Sequence, residues 1–323
     1  MSETPKQTLH RRQTQSQHSI LDQITISTQD YQHSGGGGDD ELLADVRSLM
    51  KHHGVVILRN AISEQDVTNI TVIADDTQRH ICDALDAKKI PYNTSVADEE
   101  TFVYKELAVR CKGRMDVRYD YDATAATKQL PPSLIELVEN CAAAILHGAE
   151  PPSIVYSGWI FSHPGSADQP WHTDGSPLFG SNAINESLPS YAINIFVGLH
   201  DADELLVLGP TEFVVGSHQM DPEVVMDTMI PQAVPAVIGK GDVLLYDYRV
   251  CHRGTSNLSS TLSAIPPPSS PCASGAVDKD DGHVETTGTE TEKGVVRKVL
   301  YQMYARPWFK EHLNFGEKSL FDE

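Results

Sequence analysis

Cysteine is sparse and scattered in this chain: Cys82, Cys111, Cys141, Cys251 and Cys272 form no CxxC pair. An odd, dispersed set argues against both a disulfide framework and a zinc knuckle, and it fits a reducing compartment. Long apolar runs are missing too. Nowhere does the sequence offer the ~18 apolar residues a membrane span requires, and the opening MSETPKQTLHRRQTQSQHSI lacks the apolar stretch of a secretory signal. The expectation is a cytoplasmic protein with no membrane partner. The Arg, Ser, Thr and Gln content of that opening leaves an organelle transit peptide open. Positive charge is also in deficit, with 25 Lys and Arg against 45 Asp and Glu, a formal charge of −20. Such a surface repels phosphate backbones and anionic lipid, so nucleic acid is not expected as a partner. A recessed arginine can still dominate the potential locally. No internal repeat is evident, which removes solenoids and propellers.

What is present is enough apolar residue, 40% of 323 positions, to bury a substantial core. One elaborated domain is expected, a monomer by default. Residues 1–38 are polar and end in four consecutive glycines, which read as a disordered tail. From Asp39 the texture changes: Leu42, Leu43, Val46, Leu49 and Met50 lie at helical spacing, Gly54 is a stop, and Val55 to Leu58 reads as a buried strand. Ser63 is placed to cap a helix carrying Val67, Ile70, Ala74 and Ile81, and Leu134 to Leu146 gives another amphipathic segment after Pro131-Pro132. Beyond Pro152 come short β-rich runs, Ile154 to Phe161, Tyr191 to His200, Glu212 to Val215, Val243 to Tyr246 and Val295 to Tyr304. Residues 263–293, rich in Pro, Ser, Thr and Gly, interrupt them as a low-complexity insertion. Helices followed by many short strands predict a mainly β sandwich or barrel buttressed by N-terminal helices.

The chemistry concentrates in Gln169-Pro170-Trp171-His172-Thr173-Asp174-Gly175. A His and an Asp two residues apart in extended backbone project to one side, so both can reach a single ion. An HxD triplet alone is weak. A third ligand is offered by His252, where the apolar run Val243 to Tyr246 leads through Val250-Cys251 to His252-Arg253-Gly254. Two His and one carboxylate on one face of an octahedral ion form the facial triad of non-haem Fe(II) oxygenases, which leaves three adjacent positions for a bidentate 2-oxoacid and O2. His218 reads as a structural or solvent-facing residue, His52-His53 as the end of a helix, and His10, His18 and His33 as part of the tail. Trp159, Trp171 and Trp308 read as packing residues, with Trp171 close enough to line the site.

These blocks resemble the phytanoyl-CoA dioxygenase-like branch of the Fe(II)/2-oxoglutarate oxygenases. The likeness rests on Pro164-Gly165, Gln169 through Gly175, Gly209-Pro210-Thr211-Glu212-Phe213 with Gly216-Ser217-His218, Gly241-Asp242 through Gly254 with Asn257, and Arg297 through Trp308, in that order. It implies a double-stranded β-helix, a cupin-like jelly roll, with His172, Asp174 and His252 as iron ligands. It also implies that Arg297 pairs with the distal carboxylate of 2-oxoglutarate, helped by Thr211 and by Gln169. Two departures stand out. The insertion separates Arg297 from His252, so Arg253 and Arg306 remain competitors for the carboxylate, and Val215 stands where proline commonly precedes Gly-Ser-His.

The resemblance implies a small-molecule substrate oxidised at the expense of 2-oxoglutarate and O2, with succinate and CO2 released. Hydroxylation is the default, with desaturation or cyclisation open. Related halogenases lack the carboxylate that Asp174 supplies, so halogenation is not expected. The competing class is a jelly-roll binding protein, or a metal enzyme that has lost 2-oxoglutarate dependence. Phe102, Tyr104, Phe179 and the insertion 263–293 are expected among the pocket walls.

Overall fold

In a computed structural model, which describes residues 15–32, 38–92, 102–118, 129–179, 182–259, 294–311 and 315–322, two β-sheets carry the chain and helices cover the larger one. The segment 263–293 lies outside the described residues. The expected tail is corrected over residues 15–32. Helix α1 (Gln15–Gln23) leads into strand β1 (Thr25–Ser27), which pairs in parallel with β2 (Val55–Arg59). Ile24 and Ile26 are buried there. A short apolar run in a polar context forms a strand here because β2 offers it an edge, a tertiary effect that local composition does not show.

Helix α2 (Gly38–His53) buries Leu42, Val46 and Met50 on one stripe, with Asp39, Asp40 and Glu41 in its first turn and Lys51, His52 and His53 in its last. That polarity complements the helix dipole. Gly54 ends the helix at φ +71°, and a Cβ there would stand 2.5 Å from His218 Nδ1. In α3 (Glu64–Ala87), the Ser63 hydroxyl accepts from the Asp66 N–H at 3.1 Å, and Val67, Ile70, Ala74, Ile81 and Leu85 are buried. A cap of this kind contributes about 1 kcal/mol. Helix α4 (Pro132–Ile145) begins at a proline whose missing N–H costs nothing at a helix start.

The remaining strands are β3 (Phe102–Val103), β4 (Leu107–Cys111), β5 (Arg114–Val117), β6 (Ser153–Ser162), β7 (Ala192–Gly198) and β8 (Thr211–Phe213). They are followed by β9 (Val234–Ala236), β10 (Val243–Asp247), β11 (His252–Gly254) and β12 (Arg297–Ala305). The nine-stranded sheet runs β1-β2-β10-β7-β12-β6-β5-β4-β3, and the three-stranded sheet runs β11-β8-β9. This is the two-sheet jelly roll with flanking helices that the sequence predicts, open rather than closed into a barrel. Strands β3 to β5 were not anticipated.

Alternation assigns the faces. Leu245, Ile195 and Leu300 point to the helices and join Val46, Met50, Ile70 and Leu134 in the main core. Leu244, Phe196, Val299 and Tyr301 point inward with Phe213 of the small sheet. A large-to-small change such as Ile70→Ala in the helix-side core would cost about 2–5 kcal/mol. The inner face is where the polar residues gather.

Candidate functional site

The segment from Gln169 to Asp174 is held against β11 by backbone pairing. Gln169 N–H donates to Gly254 O at 2.9 Å, and His172 and His252 exchange N–H···O bonds of 3.0 and 2.8 Å. The far side of β11 pairs with β8. The turn leading into β11 is fixed by Arg249, whose Nε and Nη2 each donate to Asp247 at 2.8 Å. Burial alone would raise the pKa of Asp247, but Arg249 holds it below the ordinary carboxylate value. Both histidines are therefore set on rigid backbone.

His172, Asp174 and His252 each present a ligand atom, and the three atoms lie within 4.8 Å of one another. His252 Nε2 stands 3.7 Å from Asp174 Oδ1. A single ion with bonds of about 2.1 Å spans up to about 4.2 Å, so small side-chain rotations bring all three onto it. Their surroundings fit that use. The Nδ1 of His172 faces Pro170 O at 2.8 Å and that of His252 faces Val250 O at 3.0 Å. A carbonyl can only accept, so both Nδ1 carry the proton and both Nε2 keep a lone pair. Burial, reinforced by His252, keeps the His172 pKa below its ordinary value and the ring neutral. Asn194 Nδ2 donates to Asp174 Oδ2 at 2.6 Å, which leaves Oδ1 as the ligating oxygen. Burial and the adjacent Asp174 push the Tyr246 hydroxyl well above its usual pKa.

The three residues open onto a cavity of about 290 Å³, and Gln169, Thr211 and Arg297 line it as well. All six residues singled out in the sequence thus meet in one space. Arg297 is 2% exposed, and one of its terminal nitrogens donates to Thr211 Oγ1 at 3.3 Å. Its Nε has no hydrogen-bond partner among the described residues. Burial, then the nearby Arg114, lowers its pKa to about 9. Among the described residues no carboxylate pairs with it, and a guanidinium so buried is costly unless a ligand supplies the charge. The donor set therefore fits a dicarboxylate.

Of the competitors, Arg253 is engaged by Glu212 at 2.8 Å and Asp168 at 3.6 Å and lies over Trp171. Arg306 is not among the residues lining the cavity. Gln169 Oε1 accepts from the Gly254 N–H at 2.9 Å, so this side chain also braces β11. His218 is buried near Lys51 O, a structural position.

Arg114 is the residue that sequence reasoning missed. It is 5% exposed, lines the same cavity, and donates to Ser162 Oγ and Thr255 O, each at 2.8 Å. Ser162 of β6 is in register with Arg114 on one side and Arg297 on the other, so both guanidiniums share one face. The insertion does not disturb this. Asn257 Nδ2 donates to Ser162 O at 2.9 Å and to Val295 O at 2.8 Å, so the chain is stapled on both flanks of 263–293 just before Arg297. Tyr104 and Phe179, expected as walls, are not in the lining.

Comparison with known proteins agrees with this geometry. A family model described as Phytanoyl-CoA dioxygenase (PhyH) matches residues 50–263, more than half of the chain. "Dioxygenase aneA" of Aspergillus aculeatus is 36% identical over 100 residues, which are 30% of this chain and 32% of that protein. The chain therefore spans about a third of the length of the curated relative it matches. The crystal structure of AviO1 from Streptomyces viridochromogenes Tue57 is similar in fold, with a TM-score of 0.51 and 16% identity over 83% of this chain and 96% of that one. On the family match and the ordered motifs, the chain belongs to the phytanoyl-CoA dioxygenase (PhyH) family of non-haem Fe(II)/2-oxoglutarate-dependent oxygenases.

Proposed function

We propose that this chain is a Fe(II)- and 2-oxoglutarate-dependent dioxygenase that hydroxylates a small organic molecule, with both sheets, β1 included, in one oxygenase domain. His172 Nε2, Asp174 Oδ1 and His252 Nε2 would hold the iron. Bound there, Fe(II) would use 2-oxoglutarate and O2 to oxidise a substrate C–H bond, with release of succinate and CO2. The observation that carries this reading is the convergence of three ligand atoms within 4.8 Å, each oriented by its own second hydrogen bond.

The protein's part is binding and orientation. Arg297 presents a planar fork to the distal carboxylate of 2-oxoglutarate, Thr211 holds that fork in place, and Arg114 adds charge of the same sign from the neighbouring face. Gln169 keeps β11 and the His172 segment at fixed separation. The cavity of about 290 Å³ places the metal ligands and Arg297 around one space, where cosubstrate and substrate would lie side by side. Excluding water from such a space protects the reacting centre. The alternative, a jelly-roll protein without 2-oxoglutarate dependence, leaves the buried Arg297 guanidinium with no counter-ion among the described residues and is disfavoured for that reason.

Succinate release from 2-oxoglutarate in air tests the reading. It should depend on added Fe(II), be slow without substrate, and stop on chelation. Protein that binds Fe(II) yet releases no succinate above a metal-free control contradicts it.

A further inference from the structure

A second pocket, of about 180 Å³, has only His172 and Thr173 in common with the cavity that Arg297 lines. Pro177, Met220, Pro222, Val225, Met226 and Cys251 give it an apolar wall. These side chains come largely from two stretches of chain. One is the segment after Asp174, which ends in the helix Asn182–Ser187. The other is the series of short helical turns Ser217–Gln219, Pro222–Val224 and Val225–Met229. The helix Asn182–Ser187 packs on the turn Ser217–Gln219 and brings the two stretches together.

The polar side chains that line this pocket are already engaged. Arg249 donates from Nε and Nη2 to Asp247, and from Nη1 to Asn185 O and Leu188 O. The Asn185 amide exchanges two hydrogen bonds with the Phe179 backbone. Thr173 Oγ1 donates to Gly175 O, and Ser217 Oγ accepts from the Cys251 N–H. His218 Nε2 faces Lys51 O, and its Nδ1, which has no partner among the described residues, stands beside Gly54. Burial holds the His218 pKa below its ordinary value, so that ring is neutral. Arg249 is the one Lys, Arg, Asp or Glu in the lining, and Asp247 neutralises it.

We infer that this pocket binds a free, uncharged aromatic molecule of one ring, at a site separate from that of 2-oxoglutarate and bordered by His172. A charged ligand would lose its hydration there and gain no counter-ion, whereas an apolar ring asks nothing of the satisfied groups around it. Size follows from volume, since a cavity of about 150 Å³ with apolar walls accepts benzene. The thioethers of Met220 and Met226 favour an aromatic edge over an alkyl chain. Leu178, Phe179, Ile184, Val224 and Met226, on the same two stretches, are between 37% and 48% exposed. Apolar side chains left in water in this way mark an interaction site. The inference goes beyond the oxygenase reading, and only the pocket's placement beside a metal rests on that reading.

The test is ligand-observed NMR on full-length protein loaded with Zn(II) and 2-oxoglutarate. Toluene, benzoate and benzylammonium share one ring and differ in charge. Toluene should bind in roughly the millimolar range or tighter, and about tenfold or more tightly than either charged probe. Its affinity should be the same with and without 2-oxoglutarate. Val225→Phe fills the pocket and should weaken toluene about tenfold. If that variant does not fold, Met226→Trp decides, because Met226 is half-exposed and the larger ring there obstructs the mouth. In Mn(II)-loaded protein the toluene resonances should broaden, since the pocket borders His172. Equal binding of the three probes, displacement of toluene by 2-oxoglutarate, or indifference to the variants overturns the inference. So does sharp toluene signal with Mn(II) bound, and so does toluene binding that self-association of the protein abolishes, which would give this face to a second copy of the chain. Failure of Mn(II) to bind, followed separately by electron paramagnetic resonance, overturns the metal site instead, and toluene binding to the metal-free protein then still decides the pocket.

Discussion

His172 and His252 exchange both backbone hydrogen bonds, at 3.0 and 2.8 Å, as a single antiparallel pair. Their ring centres are consequently 4.5 Å apart, and neither depends on a mobile loop for its position. Because the two rings are independently braced, each is expected to be indispensable. His172→Ala and His252→Ala should each lower Fe(II) affinity by about 10- to 100-fold or more with little change in thermal unfolding of the metal-free protein. Metal content after anaerobic equilibration checks this; retention of stoichiometric iron by either variant removes the assignment.

Arg297 is predicted to govern cosubstrate affinity. Arg297→Leu should raise the KM for 2-oxoglutarate by roughly 100-fold, and Arg114→Leu by about tenfold, since a bidentate charge pair in a buried site is worth more than a nearby like charge. Steady-state succinate assays across 2-oxoglutarate concentration measure both. A larger effect at Arg114 would reverse the roles.

Gly254 and Gly158 should respond differently to the same change. A Cβ on Gly254 would stand 2.6 Å from a terminal nitrogen of Arg114 and 2.6 Å from Gln169 Oε1, side-chain ends that can shift only by giving up the hydrogen bonds that hold them. Gly254→Ala should therefore weaken 2-oxoglutarate binding, at a stability cost of about 0.5–1.5 kcal/mol for each hydrogen bond lost. At Gly158 the nearest atom is backbone, Val117 O at 2.5 Å, so Gly158→Ala should cost about 1–3 kcal/mol. Denaturant unfolding together with 2-oxoglutarate titration separates the two outcomes.

The contrast between Ser63 and Arg114 shows how far the sequence could be read. The Ser63 cap, the Gly54 stop and the β7, β10 and β12 strands follow local rules of spacing and capping, and the HxD triplet announces its own geometry. Arg114 and Asp116 obey the period-two rule as well, but their polar side faces a cavity rather than solvent. A pattern in which polar means inside is invisible without the fold. Ile24 and Ile26 were hidden for a related reason, since their partner strand β2 lies well along the chain.

His163 and His200 are buried, and each has its pKa lowered to about 4, His163 by burial and His200 by burial together with Arg297 and Lys298. The Lys298 N–H donates to His200 Nε2 at 2.9 Å, a bond that needs the neutral ring. With folded values below the ordinary 6.5, the unfolded chain binds more protons between those limits, so stability is full above about pH 6.5 and is lost as pH falls toward 4. The loss should reach roughly 3 kcal/mol per histidine at most. Urea midpoints at pH 7.5, 6 and 5 should fall in that order; a flat profile would contradict the burial of neutral rings.

One spectrum tests the iron and 2-oxoglutarate sites most directly. Under argon, Fe(II) and then 2-oxoglutarate are added to wild-type protein, and the visible region is followed. A weak charge-transfer band should appear on the second addition, be absent in His172→Ala, and require far more 2-oxoglutarate in Arg297→Leu. Wild-type protein that holds Fe(II) but gives no such band at saturating 2-oxoglutarate would contradict the assignment.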